Sequence, residues 1–301
     1  MSRGLGRAAS TVSREVRRHG GRRAYRAAVA DTRAWARTRR PKVCRLATRP
    51  ALREAVAAKL ALEWAPQQIA GWLRHAYPND PEMHVSHETI YLSLFVQSRG
   101  VLKKALAAHL RQRRTYRRPK CAAPRRGGGI VDAVSIRERP ATADDRAVPG
   151  HWEGDLLVGA HHSHVATLVE RRSRYVCLIR LAGRDTQTVV RALTQHVQRL
   201  PEGLMATLTW DRGYELAHHR AFSIATGVQV YFCDPQSPWQ RGTNENTNGL
   251  LRQYFPRGTD LAAFSQRQLD AIARRLNTRP RKTLGYRTPA DILAETVAST
   301  A

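Results

Sequence analysis

His151-Trp152-Glu153-Gly154-Asp155-Leu156-Leu157-Val158 marks a change of texture in the chain. Short apolar runs begin here and replace the basic helical pattern that precedes them. Residues 153–158, 165–170 and 174–181 read as strands separated by His/Gly and Arg/Ser turns, which predicts an antiparallel meander. Further on, Thr188, Val189, Ala192, Leu193 and Val197 recur at helical spacing within 185–199. Residues 204–210 read as a fourth strand, 215–226 as a helix and 228–232 as a fifth strand, with more helix beyond.

That order predicts an α/β fold: an RNase H-like catalytic core from about 150 to 301, with a mixed five-stranded sheet and flanking helices. In such a sheet the first and fourth strands are neighbours. Asp155 lies in the first, and Asp211 directly follows the fourth in Thr209-Trp210-Asp211-Arg212-Gly213. Glu245 opens a helix in Arg241-Gly242-Thr243-Asn244-Glu245-Asn246. Phosphodiester attack needs an activated oxygen nucleophile and a stabilised leaving oxygen. Two Mg²⁺ ions roughly 3.5–4 Å apart supply both, and hard oxygen ligands must hold them. The expected catalytic and metal-ligating set is therefore Asp155, Asp211 and Glu245, with Mg²⁺ or Mn²⁺, two ions, as the cofactor. Glu153 competes with Asp155, because side chains two apart leave a strand on the same face; Asp155 is preferred. Gly154 would let a metal or backbone approach closely.

Around Glu245 the helical spacing places Asn248, Gly249 and Arg252 on its side and Leu250, Leu251, Tyr254 and Phe255 on the other. Arg252 is expected to project toward DNA. The long loop 234–242 carries Trp239, which would either stack on a splayed base or pack into the core. Trp239, Arg241, Asn248 and Arg252 are the expected DNA contacts in this half.

The chain of 301 residues has a formal net charge of +27, which points to a polyanionic partner. Residues 1–149 carry 32 Lys/Arg against 11 Asp/Glu, and residues 150–301 carry 19 against 13, so the first half is the expected DNA-gripping half. At 42% hydrophobic residues the chain can bury a core. Cys44, Cys121, Cys177 and Cys233 form no C-x-x-C pair, which argues against a zinc site or disulfide framework and for reduced cytoplasmic thiols. No apolar run approaches the ~18 residues of a membrane span. The Arg-rich start resembles a transit peptide, but a DNA-binding helix fits it better.

Two α-helical helix-turn-helix segments are expected before the core. In the first, 1–45, Gly6 permits a turn, Ser10 or Thr11 caps a helix, and Val12 and Val16 share one face. Ser13, Arg14 and Arg17 face elsewhere and are expected on DNA; a solvated basic helix is the alternative. With no helix preceding it in this chain, residues 1–40 are expected to be mobile without DNA. In the second segment, 46–110, a helix covers 51–63, Pro66 starts another, and Ser86 caps a third. His87, Glu88 and Thr89 then meet base edges, unless this is a plain three-helix bundle. His87-Glu88 is not a zinc motif, because no second His follows at the required offset. Residues 111–149 are a basic linker, its Arg/Lys run at 111–129 ending in Gly127-Gly128-Gly129.

The stretches Ser10-Thr11-Val12-Ser13-Arg14-Glu15, Val85-Ser86-His87-Glu88-Thr89-Ile90-Tyr91, His151 to Asp155, Leu208 to Gly213, Ser237-Pro238-Trp239-Gln240-Arg241-Gly242-Thr243-Asn244-Glu245-Asn246 and Arg279-Pro280-Arg281-Lys282-Thr283-Leu284-Gly285 resemble the DDE transposases of insertion-sequence family thirty. The resemblance implies an integrase-like core with Asp155, Asp211 and Glu245 as its triad, and the spacing of 34 from Asp211 to Glu245 agrees. It implies binding to double-stranded DNA, both terminal inverted repeats and target, with strand cleavage and transfer. A homo-oligomeric synaptic complex and a cytoplasmic, nucleoid-associated bacterial setting go with it. The family normally has helices before the first segment, and tends to carry Ser-Pro-Ser where this chain reads Ala8-Ala9-Ser10. Two alternatives are a catalytically inactive DNA-binding regulator derived from a transposase, and a nuclease that cuts without rejoining.

Overall fold

The computed structural model describes residues 8–38, 44–95, 130, 132–145, 148–201, 203–235 and 237–300. The Arg/Lys run at 111–129 and the turn at Gly6 lie outside them. The chain forms two compact units, residues 1–48 and 49–301. Among the described residues no helix is long and apolar enough to cross a membrane.

The first unit is helical: α1 (Ala9–Arg18), α2 (Gly21–Ala24), α3 (Ala27–Thr38) and α4 (Arg45–Thr48). α1 starts one residue before Ser10, so neither Ser10 nor Thr11 caps it, and its N-cap Ala8 has no side-chain acceptor. Val12 and Val16 turn inward with His19, which is buried, pairs with Glu15 at 3.0 Å and sits edge-on to Tyr25. Helical support for α1 thus follows it in sequence, where the sequence reading looked for it ahead.

The second unit begins with α5 (Pro50–Ala61), α6 (Pro66–Ala76) and α7 (His87–Phe95). Leu52, Val56 and Leu60, spaced by four, are fully buried. Pro66 occupies the first turn of α6, where its missing N–H costs nothing. Ser86 Oγ accepts the Thr89 N–H at 3.1 Å, which caps α7 as expected.

These helices are fastened to the chain's C-terminal segment. Gln68 donates to the Pro280 carbonyl at 2.9 Å, and Arg279 donates to Glu63 at 2.9 Å and to Gln253 at 3.0 Å. A Cβ on Gly71 would stand 2.1 Å from the Tyr286 ring, so α6 and Tyr286 touch through a glycine. Gly71→Ala adds about 1 kcal/mol of helix propensity. It also overpacks the ring at its base, at a cost of ~1–3 kcal/mol, and the clash wins. The expected result is a lowered melting temperature with faster amide exchange in 63–76 and 279–286; a stabilised Gly71→Ala would show that Tyr286 yields freely.

The core sheet is five-stranded, in the order β3-β2-β1-β4-β5, where β1 is His151–Val158, β2 His164–Glu170, β3 Val176–Arg180, β4 Thr207–Trp210 and β5 Gln229–Phe232. β1–β2 and β2–β3 are antiparallel; β1–β4 and β4–β5 are parallel. This is the predicted RNase H-like topology. Residues 132–145, read from sequence as the end of the linker, hold a 3₁₀ turn and α8 (Thr142–Asp145), and Ser135 bridges Phe232 at the β5 edge.

Helices cover both faces, which is why every β2 residue is buried. On one face α9 (Thr186–Val197) and α10 (His219–Thr226) bring Val189, Leu193 and Phe222 against Trp152, Leu168 and Trp210. On the other, α11 (Gly242–Leu251), α12 (Gln266–Asn277) and the segment between them bring Leu251, Leu269 and Phe255 against Leu157, Val165 and Val169. The period of two then sorts β1: Trp152 and Gly154 face the first layer, and Glu153, Asp155 and Leu157 face α11. α13 (Pro289–Thr300) closes the chain.

Candidate active site

β1 and β4 pair with His151 beside Thr207 and Glu153 beside Thr209. The same register, carried two residues on, sets Asp155 beside Asp211. The two carboxylates share one cation: Arg241 reaches Asp155 Oδ1 at 3.2 Å through Nη1 and Asp211 Oδ2 at 3.2 Å through Nη2. Arg241 Nη1 also donates to the Gly154 carbonyl at 2.9 Å. Burial raises the Asp155 pKa above the usual carboxylate range, Arg241 pulls it back and Asp211 adds to the rise. For Arg241, burial works against the charge, but the two carboxylates overcome it and raise its pKa.

Asp211 Oδ1 accepts the Gly213 N–H at 3.0 Å, which fixes the turn after β4. Asn248 donates to Asp155 Oδ2 at 2.9 Å, while its own Oδ1 is buried without a hydrogen-bond donor.

α11 is stapled to the sheet at its start. Glu153 Oε2 accepts the Asn244 N–H at 2.9 Å, Thr167 donates to Asn244 Oδ1 at 3.0 Å, and Arg174 donates to Thr243 at 2.7 Å. Glu245 follows, exposed in the first turn. Arg241, four residues before it, and Asn248, three after, both touch Asp155. Glu245 lies on α11 three residues before Asn248, which touches Asp155. Asp155 and Asp211 come together and Glu245 does not join them: among the described residues no group of three or more His, Cys, Asp or Glu side chains is placed to hold a metal ion.

Glu153 is fully buried and committed elsewhere, with Arg171 Nη1 at 2.9 Å from its Oε1. That leaves Asp155 as the available carboxylate of β1. Gly154 has a different role from the one expected: a Cβ there would lie 2.1 Å from the Trp210 ring, on the face away from Asp155. The glycine makes room for a tryptophan.

The family described as "Integrase core domain" matches residues 145–238, which include both aspartates and end before Glu245. The "Transposase InsI for insertion sequence element IS30A" of Escherichia coli (strain K12) is 49% identical over 299 residues, covering 98% of this chain and 78% of that protein. The chain belongs to the IS30 family of DDE transposases. The "Transposase for insertion sequence element IS1086" of Cupriavidus metallidurans is 48% identical, covering 99% of this chain and 89% of that protein. The corresponding protein for IS4351 of Bacteroides fragilis is 34% identical over 93% of this chain and 84% of its own length.

In this IS30-family transposase the expected DNA-contact residues fall into two groups. Ser13, Arg14, Arg17 and Glu88 are exposed, His87 and Thr89 half-exposed, and Trp239 is 72% exposed, which settles its alternatives against packing in the core. α7 buries Ile90, Ser93 and Leu94 and leaves its first turn outward. Arg241 and Asn248 are turned inward instead, and Arg252 is half-buried. Arg241 bridges the acids, Asn248 holds Asp155, and Arg252 reaches the carbonyls of Val158 and Phe255 at 3.4–3.5 Å. For Arg241 and Asn248 the cause is shared: a polar side chain beside a buried acid satisfies that acid first. Glu215, absent from the sequence reading, is a half-buried acid held by the Trp210 indole N–H at 3.2 Å. Burial raises its pKa, and the charges of Asp211 and Asp155 add to the rise. The signal available was its spacing of four from Asp211.

Proposed function

We propose that this transposase binds the terminal inverted repeats of its insertion sequence and catalyses metal-dependent strand cleavage and strand transfer into target DNA, with Asp155, Asp211 and Glu245 as the catalytic carboxylates. The observation that carries the reading is the pair of aspartates brought together by parallel neighbours β1 and β4, Asp155 within the first and Asp211 just past the second, both bound by the Arg241 guanidinium. Such a pair suits a cation. Hard oxygens suit Mg²⁺ or Mn²⁺, and two ions are the natural complement for three carboxylates. When bound, the ions activate the attacking oxygen and neutralise charge on the leaving one.

The chain's own residues supply the rest. Asp155 and Asp211 are oriented by the Leu156 and Gly213 N–H groups. Glu245, on α11, is the third carboxylate of the reading, brought to the pair when metal and DNA are bound. The exposed Trp239 offers a stacking face for an unpaired base beside the acids. A second copy of the chain on the paired ends, acting at the bacterial nucleoid, completes the reading.

A labelled terminal-repeat end, incubated with the protein and target DNA in Mg²⁺ or Mn²⁺, is expected to give joined product. Cleavage without joining would indicate a nuclease, binding without cleavage a regulator, and full activity in excess chelator would reject the metal site.

Binding itself has a separable signature. With 32 Lys/Arg in residues 1–149, affinity should fall linearly in log–log terms as salt rises. Sequence choice should sit in the outward first turn of α7. Changing His87, Glu88 and Thr89 together to Ala is expected to cut the preference for terminal-repeat over random DNA roughly tenfold or more. An unchanged ratio in competition binding would move specificity to another element.

A further inference from the structure

Arg241 occupies the place of a cation. Its side chain is 12% exposed, and its guanidinium meets three acceptors: Asp155 Oδ1, Asp211 Oδ2 and the Gly154 carbonyl. A divalent ion on those carboxylates would stand about 2.0–2.1 Å from each ligand oxygen, directly beside a guanidinium of like charge. The guanidinium and the ion therefore compete for the same pair of carboxylates.

The backbone beside Arg241 is suited to release it. Gly242 has φ −58 and ψ −23, ordinary helical values, and a Cβ there would meet nothing within 4 Å. Neither conformation nor packing requires a glycine at this position, although glycine weakens a helix start relative to most residues. A glycine there is compatible with a hinge. The turn carrying Arg241 also carries the exposed Trp239, so that part of it is not locked into the core. Among the described residues the turn is held by Arg241, by the Gln240 side chain, which donates to Asp234 Oδ2 at 3.0 Å and accepts the Asp234 N–H at 2.8 Å, and by the Ser237 and Gln240 backbone N–H groups, which donate to the Asp234 and Ser237 carbonyls.

We infer that Arg241 is an internal placeholder cation: it holds Asp155 and Asp211 together before metal arrives, and metal binding is an exchange that expels it. The inference rests on the metal-site reading above. In the unloaded protein Arg241 suppresses repulsion between two neighbouring carboxylates. On exchange it swings out at Gly242 and becomes free to meet a phosphate. The DNA contact expected of Arg241 from sequence then belongs to the loaded state.

Placeholder and ion compete, so the apparent metal affinity is reduced by the fraction of time the pair is free, roughly tenfold if that fraction is one-tenth. The test is Mn²⁺ binding to the full chain without DNA, read by electron paramagnetic resonance of free Mn²⁺, for wild type, Arg241→Lys, Arg241→Gln and Asp155→Asn. Lysine keeps the charge but loses the fork that bridges two carboxylates. The expected order of affinity is Arg241→Gln above Arg241→Lys above wild type, with Asp155→Asn weakest. Should Arg241→Gln fail to fold, Arg241→Lys alone must still bind more tightly than wild type. If the Arg241 variants bind no more tightly than wild type while Asp155→Asn loses binding, the placeholder is overturned and the metal site stands. If Asp155→Asn binds as wild type does, the metal-site reading falls and this inference with it.

Discussion

Asp155→Asn and Asp211→Asn are each expected to lower strand cleavage and joining by roughly a thousandfold or more, since losing a charged ligand removes several kcal/mol of transition-state stabilisation. Neither change should disturb the fold. Asparagine keeps an oxygen for the Leu156 or Gly213 N–H, and each position is partly exposed. Nor should either weaken binding to terminal-repeat DNA, because the charge that grips phosphate lies mainly in residues 1–149. Glu245→Gln should behave alike, as the third carboxylate of the same reading. Cleavage on a labelled end and binding by competition, measured on the same preparations, separate the two effects. Retained cleavage in Asp155→Asn, with loss confined to Glu153→Gln, would transfer the role to the buried neighbour.

The sheet was legible in the sequence because β1 to β5 are short apolar runs with turn residues between them, and the order of runs and helices admits few topologies. Asp155 and Asp211 followed from that order: parallel neighbours with acids at matching positions must meet. Glu245 was legible as lying near a helix start, and it sits in the first turn of α11. The fate of Arg241 was not. A basic residue in a loop of a +27 chain reads as a phosphate contact until it is known that two acids converge beneath it. Gly154 was misread for a similar reason: the Trp210 ring that needs the space is more than fifty residues away in sequence. The stretch Arg279 to Gly285 was noticed by resemblance alone, with no packing role read into it. Its partners Glu63, Gln68 and Gly71 sit some two hundred residues earlier, beyond the reach of local pattern.

The buried pair of Glu153 and Arg171 should govern stability as the aspartates govern chemistry. Glu153 is fully buried and Arg171 is 5% exposed, 2.9 Å apart. Arg171→Met leaves an uncompensated carboxylate in the core, which costs ~3–5 kcal/mol. For a unit of this size that is a melting-temperature drop of roughly 10 °C. Glu153→Gln should cost less, because its amide oxygen can still accept the Asn244 N–H that sets the start of α11. Combining Glu153→Gln with Arg171→Met removes the stranded charge and keeps that acceptor. The double variant should therefore be more stable than Arg171→Met alone, a sign reversal that additive single effects cannot give. Activity offers the second reading. α11 carries Glu245 and Asn248, so a loosened start should lower cleavage in proportion to the lost stability, with recovery in the double variant. If Glu153→Gln instead abolished cleavage at unchanged melting temperature, Glu153 would be acting on the metal directly, and the assignment of Asp155 would be wrong.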